Sequence, residues 1–126
     1  MAKSEIELHV DTANHKLSAA NELYRLGYFD DTVSRAYYAM FHAAKAALIS
    51  IGVDTHSHHG VVAQLGQHFV QTKKIAPRYG RMLSTAMQLR EGSDYDVFHE
   101  ATQAEAAGIL HDAQDFVSMI ETLLQL

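Results

Sequence analysis

The segment from Asp31 to Ile51 reads DTVSRAYYAMFHAAKAALISI. Its apolar residues recur at the i, i+3, i+4 and i+7 spacing that places them on one face of an α-helix. A stripe of alanines runs beside this face, and small side chains let a neighbouring helix approach closely. Each large apolar side chain that is buried contributes roughly 1.5–3 kcal/mol to stability. We therefore predict that this segment is the central helix of a helical bundle.

The remaining face of this helix is polar. Its members follow one another at spacings of three and four residues and are Arg35, Tyr38, His42 and Lys45. Arg35 and His42 are candidates for contacts with a nucleotide or RNA. Aromatic side chains in and near the segment are Tyr28, Tyr37, Tyr38 and Phe41. Aromatic rings can stack on bases, but at helical spacing they more often pack in a core, and we expect that here.

Four further helices are expected around the central one. They cover Ser4–Leu26, about His59–Gln71, Pro77–Arg90 and Thr102–Leu126. Gly27 ends the first helix because glycine tolerates the left-handed conformation, and Asp30 or Asp31 caps the central helix. Thr102 and Glu105 form a capping box for the last helix. We predict an all-α protein, an up-and-down antiparallel bundle of four main helices plus one short helix, that is a single domain over residues 1–126.

Composition narrows the classes of function. The chain has 126 residues, a formal net charge of −5 and no cysteine. This net charge argues against a protein that coats nucleic acid through bulk positive charge, and the lack of cysteine excludes disulfides and thiolate chemistry. No apolar run approaches the roughly 18 residues of a membrane span, and the N-terminus lacks the apolar core of a signal peptide. We expect a cytoplasmic protein without a membrane partner.

The charges are unevenly distributed along the chain. Half of the ten basic residues lie in a stretch without Asp or Glu, and they are Lys73, Lys74, Arg78, Arg81 and Arg90. From Glu91 to Leu126 there are eight acidic residues and no Lys or Arg. The basic stretch can form a nucleotide- or RNA-binding surface. The alternative is that basic and acidic helices pair with each other, because most runs of charged residues have a structural role.

The segment QLREGSDYDVFHEAT, from Gln88 to Thr102, is the strongest candidate for a site. Arg90 and Asp94 are four residues apart and therefore share one helical face, while Gly92 and Ser93 are expected to loosen the helix between them. The polar side chains that this would present to a ligand are Arg90, Asp94, Tyr95 and His99. An arginine fork suits phosphate recognition better than a lysine does. The alternative is a solvated helix end with an ion pair of a few tenths of a kcal/mol.

Nine histidines raise the possibility of a metal site, and three of them, His56, His58 and His59, lie close together. The sequence has neither the Glu-x-x-His pattern of carboxylate-bridged bundles nor a His-x-x-x-His pair. A His-rich metal-binding bundle is therefore the weakest alternative. We expect no dedicated metal site and no cofactor.

Four pieces of the sequence together resemble the HEPN superfamily. They are RAYYAMFHAAKAAL at 35–48, a loop ending in His59–Gly60, the segment Arg90-x-x-x-Asp94–Tyr95, and Ala-x-x-Phe-Val at 113–117. The resemblance covers nearly the whole chain, from about Ala13 to Leu124. In particular, the chain is similar to small stand-alone HEPN proteins that are often encoded beside a minimal nucleotidyltransferase.

This resemblance implies a helical bundle that forms a homodimer with a composite cleft at the interface. Active members of the family are metal-independent endoribonucleases, many of them toxins paired with an antitoxin. Their signature is an arginine, four to six intervening residues and a histidine. In such a site the histidine transfers protons at the ribose 2′-hydroxyl and the leaving oxygen, and the arginine stabilises charge on the phosphate oxygens.

The chain departs from this signature at one position. Arg90 matches, but Tyr95 stands where the histidine is expected, and His99 follows Arg90 only after eight residues. A tyrosine hydroxyl is a poorer general base than an imidazole at neutral pH. We therefore expect a toxin–antitoxin-like HEPN component that binds nucleotide, RNA or a nucleotidyltransferase partner through a cleft around Arg90–Tyr95. The alternatives are an endoribonuclease in which His99, Asp94 or Tyr95 transfers protons, and a protein in which the partner attaches a nucleotide to Tyr95.

Overall fold

The computed structural model describes residues 2–96 and 100–126. These residues contain five α-helices and no β-strand. The helices are α1 (Glu5–Arg25), α2 (Phe29–Ser50), α3 (His58–Leu65), α4 (Pro77–Tyr95) and α5 (Gln103–Leu124). A π-helical turn, Gly66–Val70, follows α3 directly. Four long helices and one short helix confirm the predicted all-α bundle.

Helix α2 lies at the centre of the bundle and packs against α1, α3, α4 and α5. Eleven of its 22 residues are buried, and six of these are alanines. The alanines leave room for the neighbouring backbones, while Tyr37, Met40 and Leu48 are among the largest fully buried side chains. The central position predicted for this segment is therefore confirmed.

The turn between α1 and α2 differs from the sequence prediction in its cap. Gly27 adopts a φ of +86°, as expected for the residue after a helix. However, α2 begins at Phe29 with no side-chain hydrogen bond at its cap, so the prediction that Asp30 or Asp31 caps it is wrong. Asp30 instead accepts a hydrogen bond of 2.7 Å from the Ala101 amide. It therefore joins the start of α2 to the chain just before α5.

Helix α3 begins one residue earlier than predicted, and with the π-helical turn that follows it the chain is helical from His58 to Val70, close to the predicted range. The Ser57 hydroxyl accepts a hydrogen bond of 2.9 Å from the Gly60 amide and so caps the helix. A Cβ atom on Gly60 would lie against Thr55 Oγ1 and only 2.6 Å from Ser57 Oγ. A larger residue here would displace these hydroxyls and disturb the cap. His58 lies in the first turn of α3 and faces α2 through its contact with Tyr37.

Helix α4 begins at the predicted Pro77 but continues further than expected. It remains helical to Tyr95, with the Asp96 amide bonded to the Gly92 carbonyl at 3.1 Å. The expectation that Gly92 and Ser93 loosen the helix is therefore wrong. Arg90 and Asp94 consequently share one face of a regular helix, as their spacing predicted.

Helix α5 begins with the predicted capping box, in which Thr102 and Glu105 exchange hydrogen bonds. Its apolar stripe is buried, with Ala113, Phe116 and Ile120 fully inaccessible. The helix packs mainly on α2 and also contacts α1 and α4. It forms the side of the core away from α3.

Candidate functional site

Arg90 lies in the last two turns of α4 and is only 9% exposed. Its Nη1 donates a hydrogen bond of 2.7 Å to Oδ2 of Asp94, one turn further along the helix. Arginine is rarely buried unless it is paired. The alternative of a solvated helix end is therefore wrong for this residue, because its guanidinium is withdrawn from solvent.

The surroundings of the Arg90 guanidinium are aromatic. Its Cζ atom lies 5.2 Å from the ring centroid of Tyr37 and 5.5 Å from that of Tyr38, both on α2. These distances are typical of cation–π contacts. Its Nε is buried and has no hydrogen-bond partner among the described residues. Arg90 therefore keeps hydrogen-bonding capacity that the described part of the chain does not use.

His58, at the start of α3, completes the cluster. Its Nδ1 lies 2.6 Å from the hydroxyl oxygen of Tyr37, and its ring centroid is 4.7 Å from that of Phe41. The ring of Tyr38 meets it edge-on at 5.8 Å. We refer to the group as the Arg90 site, and its members are Tyr37, Tyr38, Phe41, His58, Arg90 and Asp94.

Two titratable groups of the Arg90 site, His58 and Tyr37, are held neutral beside the Arg90–Asp94 ion pair. Burial lowers the pKa of His58, and the positive charge of Arg90 lowers it further. Burial also raises the pKa of Tyr37 to about 12, although Arg90 opposes this shift. At neutral pH the site therefore combines one cation with an uncharged imidazole and an uncharged phenol.

This combination has a definite chemical capacity. A guanidinium binds a phosphate through two parallel N–H···O bonds. A neutral imidazole can accept a proton and, once protonated, return it. The site therefore has one group able to bind phosphate and one able to transfer a proton, both in contact with the rings of Tyr37 and Tyr38.

Asp94 and Tyr95, two predicted site residues that follow Arg90, lie in different surroundings. Asp94 pairs with Arg90. Tyr95 is 81% exposed, so its ring projects into solvent at the end of α4. The candidate His99 lies outside the described residues.

The other residues of the predicted basic surface lie apart from Arg90. Arg78 and Arg81 occupy the first turns of α4, and the twelve residues from Arg78 to Arg90 span about 18 Å of helix. Arg78 donates a hydrogen bond of 2.6 Å to Asp115 of α5, as the helix-pairing alternative predicted. Lys74 lies 5.6 Å from the ring centroid of Phe69, and Lys73, Lys74 and Arg81 are exposed. These residues form a separate basic region at the opposite end of α4.

The two candidates on the polar face of α2 also lie apart from each other. Arg35 is exposed one turn before Tyr38. His42 is half-buried against α1, where its Nδ1 lies 3.0 Å from Nδ1 of His9 and the two rings stack. Burial, followed by the positive charges of His9, Lys16 and Lys45, lowers the pKa of His42 to about 4. His42 therefore contributes to the packing of α1 on α2.

The low pKa of His42 predicts acid sensitivity. Between about pH 6.5 and pH 4 the unfolded chain binds a proton at this residue that the folded protein does not, so the free energy of unfolding falls as the pH is lowered. Because the ring is partly exposed, we expect a contribution of only about 1–2 kcal/mol. Urea unfolding of the wild type and of His42→Gln measures it, and the variant should lose less stability over this range. The exposed His15→Gln variant is the control, and equal losses in wild type and His42→Gln would contradict the prediction.

A cavity of about 510 Å³ lies elsewhere, between the start of α4 and the second half of α5. Its lining includes Lys74, Tyr79, Asp115 and Met119. Tyr79 and Asp115 are joined to Arg78 by hydrogen bonds, so the polar groups on this wall already satisfy one another. We therefore take the Arg90 site, with its unsatisfied nitrogen, as the candidate functional site.

The loop histidines have separate partners. His56 lies 3.4 Å from Asp54 and His59 lies 3.6 Å from Glu91, whereas His58 contacts Tyr37. Within residues 2–96 and 100–126, no group of three or more His, Cys, Asp or Glu side chains is placed to hold a metal ion. Over the same residues, no helix combines the length and the apolar character needed to cross a membrane.

Sequence reasoning considered His58 only as a metal ligand and missed its place beside Arg90. The local signal was Ser57, a preferred N-cap residue that would have put His58 at the start of a helix. Its contact with Tyr37 joins residues 21 positions apart. No pattern in the sequence indicates such a contact.

The HEPN domain family model matches residues 6–123, and the chain therefore belongs to the HEPN domain family. It is similar to two proteins of Methanocaldococcus jannaschii that carry the name "Putative toxin". One is 36% identical over a stretch that covers 98% of this chain and 91% of the relative. The other is 30% identical over 97% of this chain and 83% of the relative. A UPF0332 protein of Archaeoglobus fulgidus is 35% identical over 90% of each chain.

Proposed function

We propose that this HEPN protein is the toxin-like component of a toxin–antitoxin pair and that it binds RNA through a phosphate held by Arg90. The names of the two Methanocaldococcus relatives support the toxin-like role. The observation that carries the RNA-binding role is the buried guanidinium of Arg90. It is oriented by two tyrosine rings and one carboxylate, with Nε still unpaired among the described residues.

The physical argument is one of preorganisation. A long arginine side chain in solvent loses rotamer freedom when it binds a phosphate. Arg90 has already lost most of that freedom, because Tyr37, Tyr38 and Asp94 hold it. An anionic phosphodiester therefore matches the charge of the site.

Binding of a labelled single-stranded RNA, followed by fluorescence anisotropy, tests this proposal. We expect Arg90→Ala to weaken binding about tenfold or more, because a charge-assisted hydrogen bond contributes about 1.5–3 kcal/mol. Arg81→Ala removes an exposed arginine from the same helix and is the matched control, with an expected change below about threefold. Equal losses in the two variants would indicate general charge attraction and contradict a site at Arg90.

A second candidate function is a metal-independent endoribonuclease. The specific observation in its favour is the neutral imidazole of His58 beside the guanidinium. Incubating a mixed RNA pool in EDTA with the wild type and with Arg90→Ala tests it. Cleavage by the wild type that Arg90→Ala loses would support the enzyme, and no cleavage by either protein would contradict it.

We also propose that the protein forms a homodimer, as its HEPN membership favours. Light scattering at micromolar concentration measures the mass. A dimer is expected for the wild type, and a wild-type monomer would contradict the proposal.

The partner that we propose is a nucleotidyltransferase-type protein, and Tyr95 is its candidate target. The 81% exposure of Tyr95 supports this role, since a transferase needs access to the hydroxyl. Attachment would join the Tyr95 oxygen to the α-phosphorus of a nucleoside triphosphate and release pyrophosphate. Co-expression with a nucleotidyltransferase encoded beside this chain, followed by mass spectrometry, should show a nucleotide adduct on the wild type and none on Tyr95→Phe. An adduct on both would place the modification elsewhere.

A further inference from the structure

Among the imidazoles in the described part of the chain, only His58 contacts both Tyr37 and Tyr38, the two rings that pack on Arg90. The Ser57 cap and the close approach at Gly60 hold the start of α3 in place. The 2.6 Å contact between Nδ1 and the Tyr37 hydroxyl then sets the rotation of the ring. Phe41 packs on it at 4.7 Å. With Nδ1 engaged by a buried phenol, Nε2 is the nitrogen that is left for a ligand.

We propose that His58 is the residue that transfers the proton when the Arg90 site cleaves RNA, and that Tyr37 is its positioning residue. This inference rests on the proposed binding of RNA at Arg90. It assigns the proton transfer to a residue of α3, and not to a residue of the segment that follows Arg90 in the sequence.

The step is an internal transesterification of the RNA backbone. The ribose 2′-oxygen forms a bond to the adjacent phosphorus while its proton passes to Nε2 of His58. The bond from phosphorus to the 5′-oxygen of the next nucleotide breaks, and that oxygen takes the proton back from the imidazolium. The products are a 2′,3′-cyclic phosphate and a 5′-hydroxyl, so atoms and electrons balance without a co-reactant. Arg90 stabilises the charge on the phosphate oxygens.

The protonation states suit this step. Burial and Arg90 lower the pKa of His58, so the ring is neutral and able to accept a proton at neutral pH. The Tyr37 hydroxyl stays un-ionised, because burial raises its pKa to about 12. The proposed step requires the tautomer in which the ring proton is on Nδ1 and is donated to the Tyr37 oxygen, because Nε2 then has a free lone pair.

The other described candidates fit the role less well. Asp94 is engaged by Arg90 at 2.7 Å, so its carboxylate is already committed to an ion pair. Tyr95 is a phenol, which is a weak base at neutral pH, and it projects into solvent. His59 pairs with Glu91 and is exposed. Of the described candidates, only His58 combines contact with both Tyr37 and Tyr38 and a fixed orientation.

The test separates binding from cleavage. Binding is measured with a 2′-O-methyl RNA, which lacks the attacking hydroxyl, and cleavage with a mixed pool of single-stranded RNA in EDTA. The variants are His58→Ala, with its neighbour His59→Ala as the matched control, and Tyr37→Phe, which removes only the hydroxyl. Each variant that still binds the 2′-O-methyl RNA retains its fold, so a loss of cleavage is then specific.

We expect His58→Ala to lower kcat about 100-fold or more, the usual contribution of a general acid–base residue, while binding of the 2′-O-methyl RNA stays within about twofold. Added imidazole should restore part of the rate to His58→Ala and leave Arg90→Ala inactive. Tyr37→Phe should lower kcat with KM unchanged, because it only misorients the ring. The wild-type rate should fall on acidification, with a midpoint below about 6.5, the ordinary histidine value.

Each failure has a separate meaning. If the wild type does not bind the 2′-O-methyl RNA, the proposed function itself is wrong. If it binds but does not cleave unmodified RNA, or if His58→Ala cleaves as fast as His59→Ala, the role of His58 is wrong and RNA binding stands.

Discussion

Phe116→Ala is expected to lower the free energy of unfolding by about 3–5 kcal/mol, because it removes a large buried ring and leaves a cavity. The Phe116 side chain is fully inaccessible, and its ring meets that of Tyr79 on α4 edge-on with centroids 6.1 Å apart. A small protein has a total stability of about 5–15 kcal/mol. This single change would therefore remove a large fraction of the stability of the bundle.

Urea unfolding at neutral pH measures this loss. Ser118→Ala is the matched control, because Ser118 is exposed on the same helix two residues away, and its expected change is below about 0.5 kcal/mol. A loss of less than about 1 kcal/mol for Phe116→Ala would mean that α5 contributes little to the core. It would contradict the packing described above.

The second large effect concerns function and leaves stability intact. Arg90→Met replaces the buried cation by an apolar side chain of similar length. Removing one partner of a buried ion pair is costly when the other charge stays buried and unpaired. The Asp94 side chain is 38% exposed and can be solvated, so the free energy of unfolding should stay within about 1 kcal/mol. RNA binding should nevertheless fall about tenfold or more.

This variant separates two explanations for a buried arginine. If Arg90 serves the fold, Arg90→Met destabilises the protein by about 3 kcal/mol or more, the usual cost of breaking a buried pair. If Arg90 serves a ligand, stability is kept and binding is lost. Arg81→Met provides the same substitution at an exposed position of α4, and it should change neither quantity.

The helices were predictable because their signals are local. The 3.6-residue periodicity of α2 and α5, the capping box at Thr102, and Gly27 after α1 act within a few residues of chain, and each is confirmed. The errors arose where a longer-range contact competes with a local one. Asp30 had the position of a cap but bonds to Ala101, 71 residues away. Gly92 was expected to loosen α4, but a single glycine costs a helix only about 1 kcal/mol.

The site was predictable only in part for the same reason. The spacing of Arg90 and Asp94 indicated a shared face, which the structure confirms. The burial of Arg90 depends on Tyr37 and Tyr38, more than 50 positions away. The contact of His58 with Tyr37 depends on how α3 packs against α2. Neither contact leaves a pattern in the sequence, because both result from the assembly of three helices.

Gly60 lies two residues after His58, and the packing around it couples the position of that ring to a residue outside the Arg90 site. Any side chain there would push against Thr55 and the capping oxygen of Ser57. Relief of that pressure would shift the first turn of α3, and the ring of His58 would move with it. A Gly60→Ala substitution is therefore expected to disturb the Arg90 site without replacing any of its members.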